Sequence, residues 1–323
     1  MAKAWVEDIA GSCVVCSCDT HPTGAAIRLP ELQSTIPSNM RHAMMVMLLA
    51  MACYAFQDAS VKMLPSHIHV VEILFFRGLF ALPLLWVLAR REKHARPWTT
   101  ARPWLHGGRA LLSVMATLLF MASFRLMSLT DAYALTFCAP LLVGVLGAFW
   151  LKEPLRGGRL LALLGGVVGV FFVCAPDLQD PLLLAIPLVG GACHAVAQVS
   201  LRRLTREDST TLVMACFVGM SLLVSAPFVV ASENVYDPET LFLFVVIGAL
   251  GGAAQVAMTL AFRWGSVTLL APLEYVSLLW GLGLDGLLWH KAPTLFELFG
   301  VSLILGGCSW AAYNGMKTQA ELS

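Results

Sequence analysis

The chain has 323 residues, of which 58% are hydrophobic and only 13% are charged, and its formal net charge is +1. A water-soluble protein of this composition would have too little polar surface to stay dispersed, so the composition excludes a soluble helical fold. The solvent in which this chain folds is therefore expected to be a lipid bilayer.

Ten apolar runs follow one another from Ala43 to Asn314 with short connections between them. A helix rises about 1.5 Å per residue, so a run of about 20 apolar residues covers the roughly 30 Å hydrocarbon core. The sequence therefore predicts an all-α integral membrane protein with ten transmembrane helices. The predicted spans are 43–63, 68–89, 107–127, 130–151, 157–175, 182–201, 210–231, 240–262, 266–289 and 294–314.

Residues 1–40 differ from the rest, because they contain no apolar run and no signal-peptide pattern. We expect either a disordered tail or an extension upstream of a true start at Met40. Three cysteines and a histidine lie in the tail, namely Cys13, Cys16, Cys18 and His21. Their spacing is looser than in established zinc modules and no second ligand pair accompanies them, so neither a metal site nor a cofactor is predicted.

Basic residues are distributed unevenly between the two sides that the spans define. The basic residues of one side are Arg41, Arg90, Arg91, Lys93, Arg96, Arg102, Arg109, Lys152, Arg156, Arg159, Arg202, Arg203, Arg206, Arg263 and Lys317. The basic residues of the other side are Lys62, Arg125 and Lys291. Because lysine and arginine stay on the cytoplasmic side during insertion, the sequence predicts an inner-membrane protein with both termini in the cytoplasm.

The first two spans carry polar side chains that need a partner or a wet cavity, since a charge at the bilayer centre costs about 2.5–3.5 kcal/mol. They are Gln57 and Asp58 in the first span and Glu72 and Arg77 in the second. A structural ion pair between Glu72 and Arg77 is one interpretation, although their five-residue spacing makes Asp58 a better partner for Arg77. The other interpretation is that Arg77 clamps a carboxylate of the substrate.

His194 and Gln198 in the sixth span lie one helical turn apart, so they face the same neighbour. Histidine titrates near neutral pH, which suits a gate or a coupling site, but hydrogen-bonded packing is the alternative. Aromatic side chains in the fourth and ninth spans offer flat walls to an amphipathic solute, unless they face lipid. The predicted substrate-binding residues are Gln57, Asp58, Arg77, Tyr133, His194, Gln198, Tyr275 and Trp280.

The ninth span places Glu274 and Asp285 on one helical stripe, with Gly281 between them. A carboxyl group inside the membrane is pushed towards its neutral form by desolvation, so it can carry a proton between the aqueous sides. We therefore predict proton coupling by these two residues. Two alternatives stay open: Asp285 is solvated near the outer surface, and Glu274 pairs with Arg263.

The two halves of the chain resemble each other at an offset of about 139 residues, which indicates an internal repeat. Phe124-Arg125 matches Phe262-Arg263, and Lys152-Glu153-Pro154 matches Lys291-Ala292-Pro293. The repeat unit is five helices, and because five is odd the second copy enters the membrane from the opposite side. Inverted repeats give two nearly equivalent packings, one open to each side, which is the basis of alternating access.

The second span "ILFFRGLFALPLLW" and the "LKEPL" that closes the fourth, together with the inverted repeat, resemble the EamA-type branch of the drug/metabolite transporter superfamily. The resemblance implies a repeat at 41–175, a second at 176–315 and a short cytoplasmic tail at 316–323. It also implies a central cavity lined mainly by the first, third, fourth, sixth, eighth and ninth helices. The second copy departs from the family pattern, because Ala292 stands where the first copy has Glu153.

The function that follows is a secondary transporter, and not an enzyme, for a small amphipathic or zwitterionic metabolite. Its partners would be the solute, the lipid bilayer, protons and a second copy in a homodimer, with no nucleic acid. The family resemblance leaves open export of an opine-type metallophore and import of a vitamin or nucleoside-like compound such as riboflavin or S-adenosylmethionine. A membrane-embedded transferase is the alternative of another class, although no repeated D-x-x-x-D motif is present.

Overall fold

The computed structural model describes residues 36–92, 100, 102–136, 181–204, 208–232, 234–264, 270, 273–303, 305 and 306, and the isolated residues 139, 142, 146 and 168. Within these residues every regular element is a helix. The helices are α1 (Ile36–Met63), α2 (Val70–Arg91), α3 (Pro103–Leu126), α4 (Leu129–Thr136), α5 (Pro181–Leu204), α6 (Thr210–Ala231), α7 (Pro238–Trp264), α8 (Val276–Trp289) and α9 (295–303).

Six of these helices are long and apolar enough to cross a membrane. Their membrane-crossing parts are His42–Met63, Val70–Arg91, Pro103–Leu126, Leu183–Leu201, Thr210–Ala231 and Pro238–Trp264. Many large apolar side chains on them are exposed, Trp86 and Phe228 among them, which suits contact with lipid. The chain is therefore a multi-pass membrane protein.

The described helices agree with the predicted spans to a few residues at most boundaries. Within the ninth predicted span, 266–289, residues 270, 273 and 274 are helical, Tyr275 forms a turn, and α8 continues from Val276 to Trp289. The span 157–175, apart from Val168, and the ends of the fourth and tenth spans lie outside the described residues, so the count of ten helices stays a prediction. The tail cysteines lie outside them as well.

Helices from the two halves of the chain pack against each other throughout the core. α1 and α2 both contact α7, and α3 contacts α5. Ala50 and Leu105 from the first half share one buried apolar cluster with Leu201 and Met258 from the second. The core therefore forms between the halves as well as within them.

One end of the bundle, called the Lys62 end, is held by polar contacts between the halves. Lys62 Nζ lies 3.3 Å from Asp285 Oδ1. The Asp285 carboxylate also accepts hydrogen bonds from the backbone amides of Leu129 and Thr130 at 3.2 and 2.8 Å, so it caps the start of α4. Capping by an acid is favourable because the first amides of a helix lack internal partners and carry partial positive charge.

The Lys62 end also contains Arg125, Glu72 and Lys291. Arg125 donates to the carbonyl oxygens of Pro65 and Ile68. Lys291 Nζ lies 3.2 Å from carboxylate oxygens of both Asp131 and Glu297. Burial lowers the pKa of Lys291, but attraction to these two carboxylates outweighs burial and raises it above its ordinary value.

The opposite end of the bundle, called the Glu92 end, is organised by another cross-half cap. Glu92 accepts hydrogen bonds from the backbone amides of Thr210 and Thr211 at 2.9 and 2.8 Å, at the start of α6. Arg263 Nη1 lies 3.1 Å from Glu92 Oε1. Nearby, His106 Nε2 lies 2.8 Å from Asp208 Oδ2.

The two Phe-Arg turns of the repeat lie at opposite ends of the bundle, Arg125 at the Lys62 end and Arg263 at the Glu92 end. An inverted repeat requires this placement, because a repeat of the same orientation would put both turns at one end.

We expect Glu92→Gln to lower the free energy of unfolding in detergent by about 1–2 kcal/mol at pH 7, because it weakens the cap of α6. Burial raises the pKa of Glu92, but hydrogen bonds from Thr211, Thr210 and Arg263 lower it below the ordinary value. A carboxyl with a lowered pKa stabilises the fold above its unfolded-state pKa, and that stabilisation is lost as the pH falls through the folded-state pKa.

Thermal unfolding of wild type and Glu92→Gln between pH 7 and pH 3 measures this difference, which should shrink below the ordinary glutamate pKa of about 4.3. Glu239→Gln, which changes an exposed carboxyl in the first turn of α7, is the matched control. A difference that stays constant down to pH 3 would contradict the assignment.

Candidate functional site

A cavity of about 140 Å³ lies in the middle of the bundle between the two halves of the chain. From the first half, α1 contributes Tyr54, Gln57 and Asp58 at helical spacing, and α2 contributes Arg77. From the second half, His194 and Gln198 come from α5, Gln255 from α7, and Glu274 from the segment before α8. The cavity therefore combines polar groups of both charge types in the interior of a membrane protein.

A chain of hydrogen bonds, here called the Arg77 network, crosses one wall of the cavity. Arg77 Nε donates to Gln57 Oε1 at 2.8 Å, and Gln57 Nε2 donates to Asp58 Oδ1 at 2.6 Å. The Tyr133 hydroxyl donates to Asp58 Oδ2 at 2.7 Å. Arg77 also lies over the ring of Phe217, 5.1 Å from its centre, which gives the cation a further favourable contact.

Close approach of α7 and α8 to this network depends on two glycines. A Cβ at Gly251 would collide with Gln57 Oε1 and lie 2.7 Å from Arg77 Nε. A Cβ at Gly281 would lie 2.6 Å from Cδ2 of Tyr133. The absence of a side chain at these positions lets helices of the second half pack directly on polar groups of the first.

A second polar cluster lines the cavity from the second half. His194 Nε2 lies 4.0 Å from Glu274 Oε2, and 3.2 Å from Gln198 Nε2. The His194 ring packs against Phe120, with centroids 5.7 Å apart. The side chains of His194 and Glu274 are 25% and 16% exposed, so both can reach cavity water.

Most of the predicted binding residues and the predicted proton-coupling residue Glu274 lie together in this cavity. The structure places Gln57, Asp58, Arg77, Tyr133, His194, Gln198 and Glu274 on its walls. Helical spacing within α1 and α5 accounts for Gln57 with Asp58 and for His194 with Gln198. It does not account for Glu274, whose approach to His194 depends on tertiary packing.

The other predicted residues lie elsewhere. Tyr275 is buried in an apolar cluster with Leu278 and Val301. Trp280 packs against Phe56, with ring centroids 5.4 Å apart, and is about one-third exposed. Asp285 is only 2% exposed and caps α4, so the alternative that it is solvated near the outer surface is wrong.

The ion pair expected between Glu72 and Arg77 is replaced by other contacts. Glu72 accepts hydrogen bonds from Asn234 Nδ2 at 2.8 Å and from the Tyr236 hydroxyl at 3.1 Å. Five residues on a helix correspond to well over one turn, so the two side chains diverge and Arg77 turns to Gln57 instead. The alternative pairing of Glu274 with Arg263 is also absent from the described contacts of these two residues, because Arg263 binds Glu92.

The expected pairing of Arg77 with Asp58 takes an indirect form. Gln57 lies between them, accepting from the guanidinium and donating to the carboxylate. The two charges therefore belong to one network without direct contact in it.

Sequence reasoning missed several lining residues, of which Arg109 is the most important. It was grouped with the cytoplasmic charges, but it lies two turns inside α3 and is only 2% exposed. Tyr54 was also missed, although it lies one turn before Gln57 and Asp58 and donates to Gln255 Oε1 at 2.9 Å. The helical spacing of Tyr54, Gln57 and Asp58 would have identified it.

We expect Gly251→Ala to lower the free energy of unfolding in detergent by about 1–3 kcal/mol, because the added methyl group displaces Gln57 from Arg77. Gly219→Ala in α6 is the matched control, since a Cβ there meets no atom within 4 Å. Thermal unfolding followed by circular dichroism measures both. Equal midpoints for the two variants would show that the close approach at Gly251 is unimportant.

Comparison with known proteins identifies relatives of similar length. The chain is 28% identical to an uncharacterized transporter of Helicobacter pylori, over 80% of this chain and 91% of that protein. It is 24% identical to the pseudopaline exporter CntI of Pseudomonas aeruginosa, over 83% of this chain and 95% of that protein. It is 23% identical to the S-adenosylmethionine uptake transporter of Rickettsia bellii, over 85% of this chain and 94% of that protein.

A solved crystal structure shares the fold, with a TM-score of 0.65 at 19% identity, over 85% of this chain and 98% of the other. The model of the EamA-like transporter family matches residues 41–175 and again residues 182–313. The cavity described above lies between these two matches. The chain therefore belongs to the EamA-like transporter family, with one copy of the family unit in each half.

Proposed function

We propose that this protein is a secondary transporter that moves a small zwitterionic or amphipathic metabolite, such as an amino-acid derivative, across the inner membrane by alternating access. The observation that carries the proposal is the buried polar cavity at the interface of the two family units. Polar groups inside a membrane protein are costly unless they serve a wet or ligand-filled cavity. A cavity between two repeats is where such transporters bind their solutes.

Support for a zwitterionic solute comes from the charges of the cavity, because guanidinium and carboxylate groups both line it. Aromatic side chains, among them Phe120 and Phe217, add apolar walls that suit the remainder of an amphipathic molecule. The named relatives are consistent with this class, because one exports pseudopaline and another takes up S-adenosylmethionine.

Each transport direction therefore has a candidate solute. The first is export of an opine-type metallophore, and the second is uptake of S-adenosylmethionine or a similar nucleoside-like compound. Assays on inside-out and right-side-out vesicles separate the two.

Glu274 is proposed as the proton-coupling group. Its carboxylate lies in the cavity, with His194 Nε2 at 4.0 Å and no described ion pair to lysine or arginine. A carboxyl in this setting can exchange its proton with cavity water, so that solute binding and proton binding compete or cooperate there. Asp285 is not proposed for this role, because its carboxylate lies outside the cavity and caps the start of α4.

The test is transport in proteoliposomes with a panel of labelled solutes that includes S-adenosylmethionine. For one coupled proton, a gradient of one pH unit supports about tenfold accumulation, because one unit corresponds to about 1.36 kcal/mol. We expect wild type to approach this ratio and Glu274→Gln to reach only equal concentrations on both sides, while still exchanging solute.

Glu239→Gln, an exposed carboxyl variant, should keep the gradient-driven accumulation. Full accumulation by Glu274→Gln would remove the coupling role but not the transport function. Lack of transport of every solute by wild type would overturn the proposed function itself.

The proposed orientation places the Lys62 end outside the cell and the Glu92 end in the cytoplasm. We expect Leu126→Cys, next to Arg125, to react with a membrane-impermeant maleimide in intact cells. Trp264→Cys, next to Arg263, should react only after permeabilisation. Labelling of the parent protein is the control for its native cysteines, and labelling of both new cysteines from one side would refute the inverted arrangement.

A further inference from the structure

Arg109 is a buried cation in the cavity that lacks an acidic partner among the described residues. It is 2% exposed, and none of the described ion pairs includes it. Its Nη1 donates to the carbonyl oxygen of Val213 at 3.3 Å, whereas its Nε has no hydrogen-bond partner. A guanidinium has five N–H donors, and the buried Nε–H is one that the described residues leave without a partner.

The ionisable groups that lie near Arg109 do not neutralise it. Tyr54, Cys216 and His194 are described ionisable groups that interact electrostatically with Arg109. None of the three carries a negative charge at pH 7 with an ordinary side-chain pKa. The nearby Asp208 carboxylate binds His106 Nε2 at 2.8 Å and the Thr100 hydroxyl at 3.0 Å instead.

The setting of Arg77 shows how this fold treats an arginine with a structural role. Arg77 is also buried, but it belongs to a network that ends on the Asp58 carboxylate, and it lies over Phe217. Among the described residues Arg109 belongs to no comparable network, although leaving a charge buried without a partner is strongly unfavourable. A buried guanidinium on a cavity wall whose Nε lacks a partner is therefore better explained by a ligand than by packing.

The neighbourhood of Arg109 on α3 is suited to a ligand. Ser113 and Thr117 follow it at one-turn intervals and line the same cavity, and Phe120 continues the stripe. Their spacing puts a cation, two hydroxyl-bearing residues and an aromatic ring along one helical face. Glu274 lines the same cavity from the second half and supplies a negative group for the rest of a zwitterion.

We propose that Arg109 is the anion-binding group of the cavity, and that the transported solute carries a carboxylate that pairs with this guanidinium. The inference rests on the proposed transport function and narrows its substrate class to carboxylate-bearing solutes. The planar guanidinium can donate two parallel hydrogen bonds to a carboxylate, which an ammonium group cannot do in the same way.

Sodium benzoate is a suitable probe, because it is an aromatic carboxylate and aromatic side chains line the cavity. Equilibrium binding to the purified full-length protein in detergent is followed by the shift of the thermal unfolding midpoint. We expect benzoate to raise the midpoint of wild type relative to sodium chloride of equal ionic strength. Benzamide, which has a similar shape without the charge, should leave the midpoint unchanged.

Arg109→Met should weaken benzoate binding by about tenfold or more, because it removes charge-assisted hydrogen bonds. Arg109→Lys should keep part of the benzoate effect, and it provides a folded comparison if the methionine variant is unstable. Arg125→Met is the matched control outside the cavity, since Arg125 binds the carbonyls of Pro65 and Ile68, and it should keep the full effect.

A benzoate shift that is equal in wild type and Arg109→Met would overturn the proposal, and so would the lack of any benzoate shift in wild type. This binding measurement requires no transport, so it can fail while the proteoliposome assay succeeds. The failure of the Arg109 proposal and the failure of the proposed function are therefore distinguishable.

Discussion

A guanidinium buried in a bilayer keeps its positive charge, and the fold must satisfy that charge from within. The Arg77 network is the solution for one such group, and it ties α1, α2 and α4 together through Gln57, Asp58 and Tyr133. The contact also explains why α7 presents a glycine at 251, since any side chain there would displace Gln57. Helix spacing in the centre of the protein thus depends on a polar interaction and not only on apolar packing.

The same constraint divides the cavity into two regions. On one side the charges of Arg77 and Asp58 are already engaged with protein groups. On the other, Arg109, His194 and Glu274 retain hydrogen-bonding capacity towards the open volume. Because the second region contains both signs of charge, it is the part of the cavity that suits a zwitterionic solute. The first region, with its charges already paired, has a structural role.

Membrane insertion made much of the fold predictable from sequence. Apolar length identified the six membrane-crossing helices, and the repeated Phe-Arg pair indicated that the halves are inverted. The turn at Tyr275 inside the ninth span was not predicted, because hydropathy does not register a one-residue interruption of a helix. Residues on one helical face, such as Gln57 with Asp58, could be grouped from spacing, whereas the approach of Glu274 to His194 depends on packing between α5 and the segment before α8. Arg109 was interpreted only as an orientation signal because it lies near a span boundary, and only the tertiary structure shows that it is buried on the cavity wall.

The two cross-half caps have a consequence for how such a molecule would rest between cycles. At the Glu92 end an acid of the first half holds a helix start of the second, and at the Lys62 end an acid of the second half holds a helix start of the first. Each acid also contacts a basic residue, Arg263 or Lys62. In an alternating-access cycle the cap at one end of the bundle opens while the cap at the other end stays closed. The resting conformation would therefore depend on the difference in free energy between the two caps. In such a cycle the free energies of the two caps, which lie at the ends of the bundle away from the cavity, would set the resting conformation without changing the groups that line the cavity.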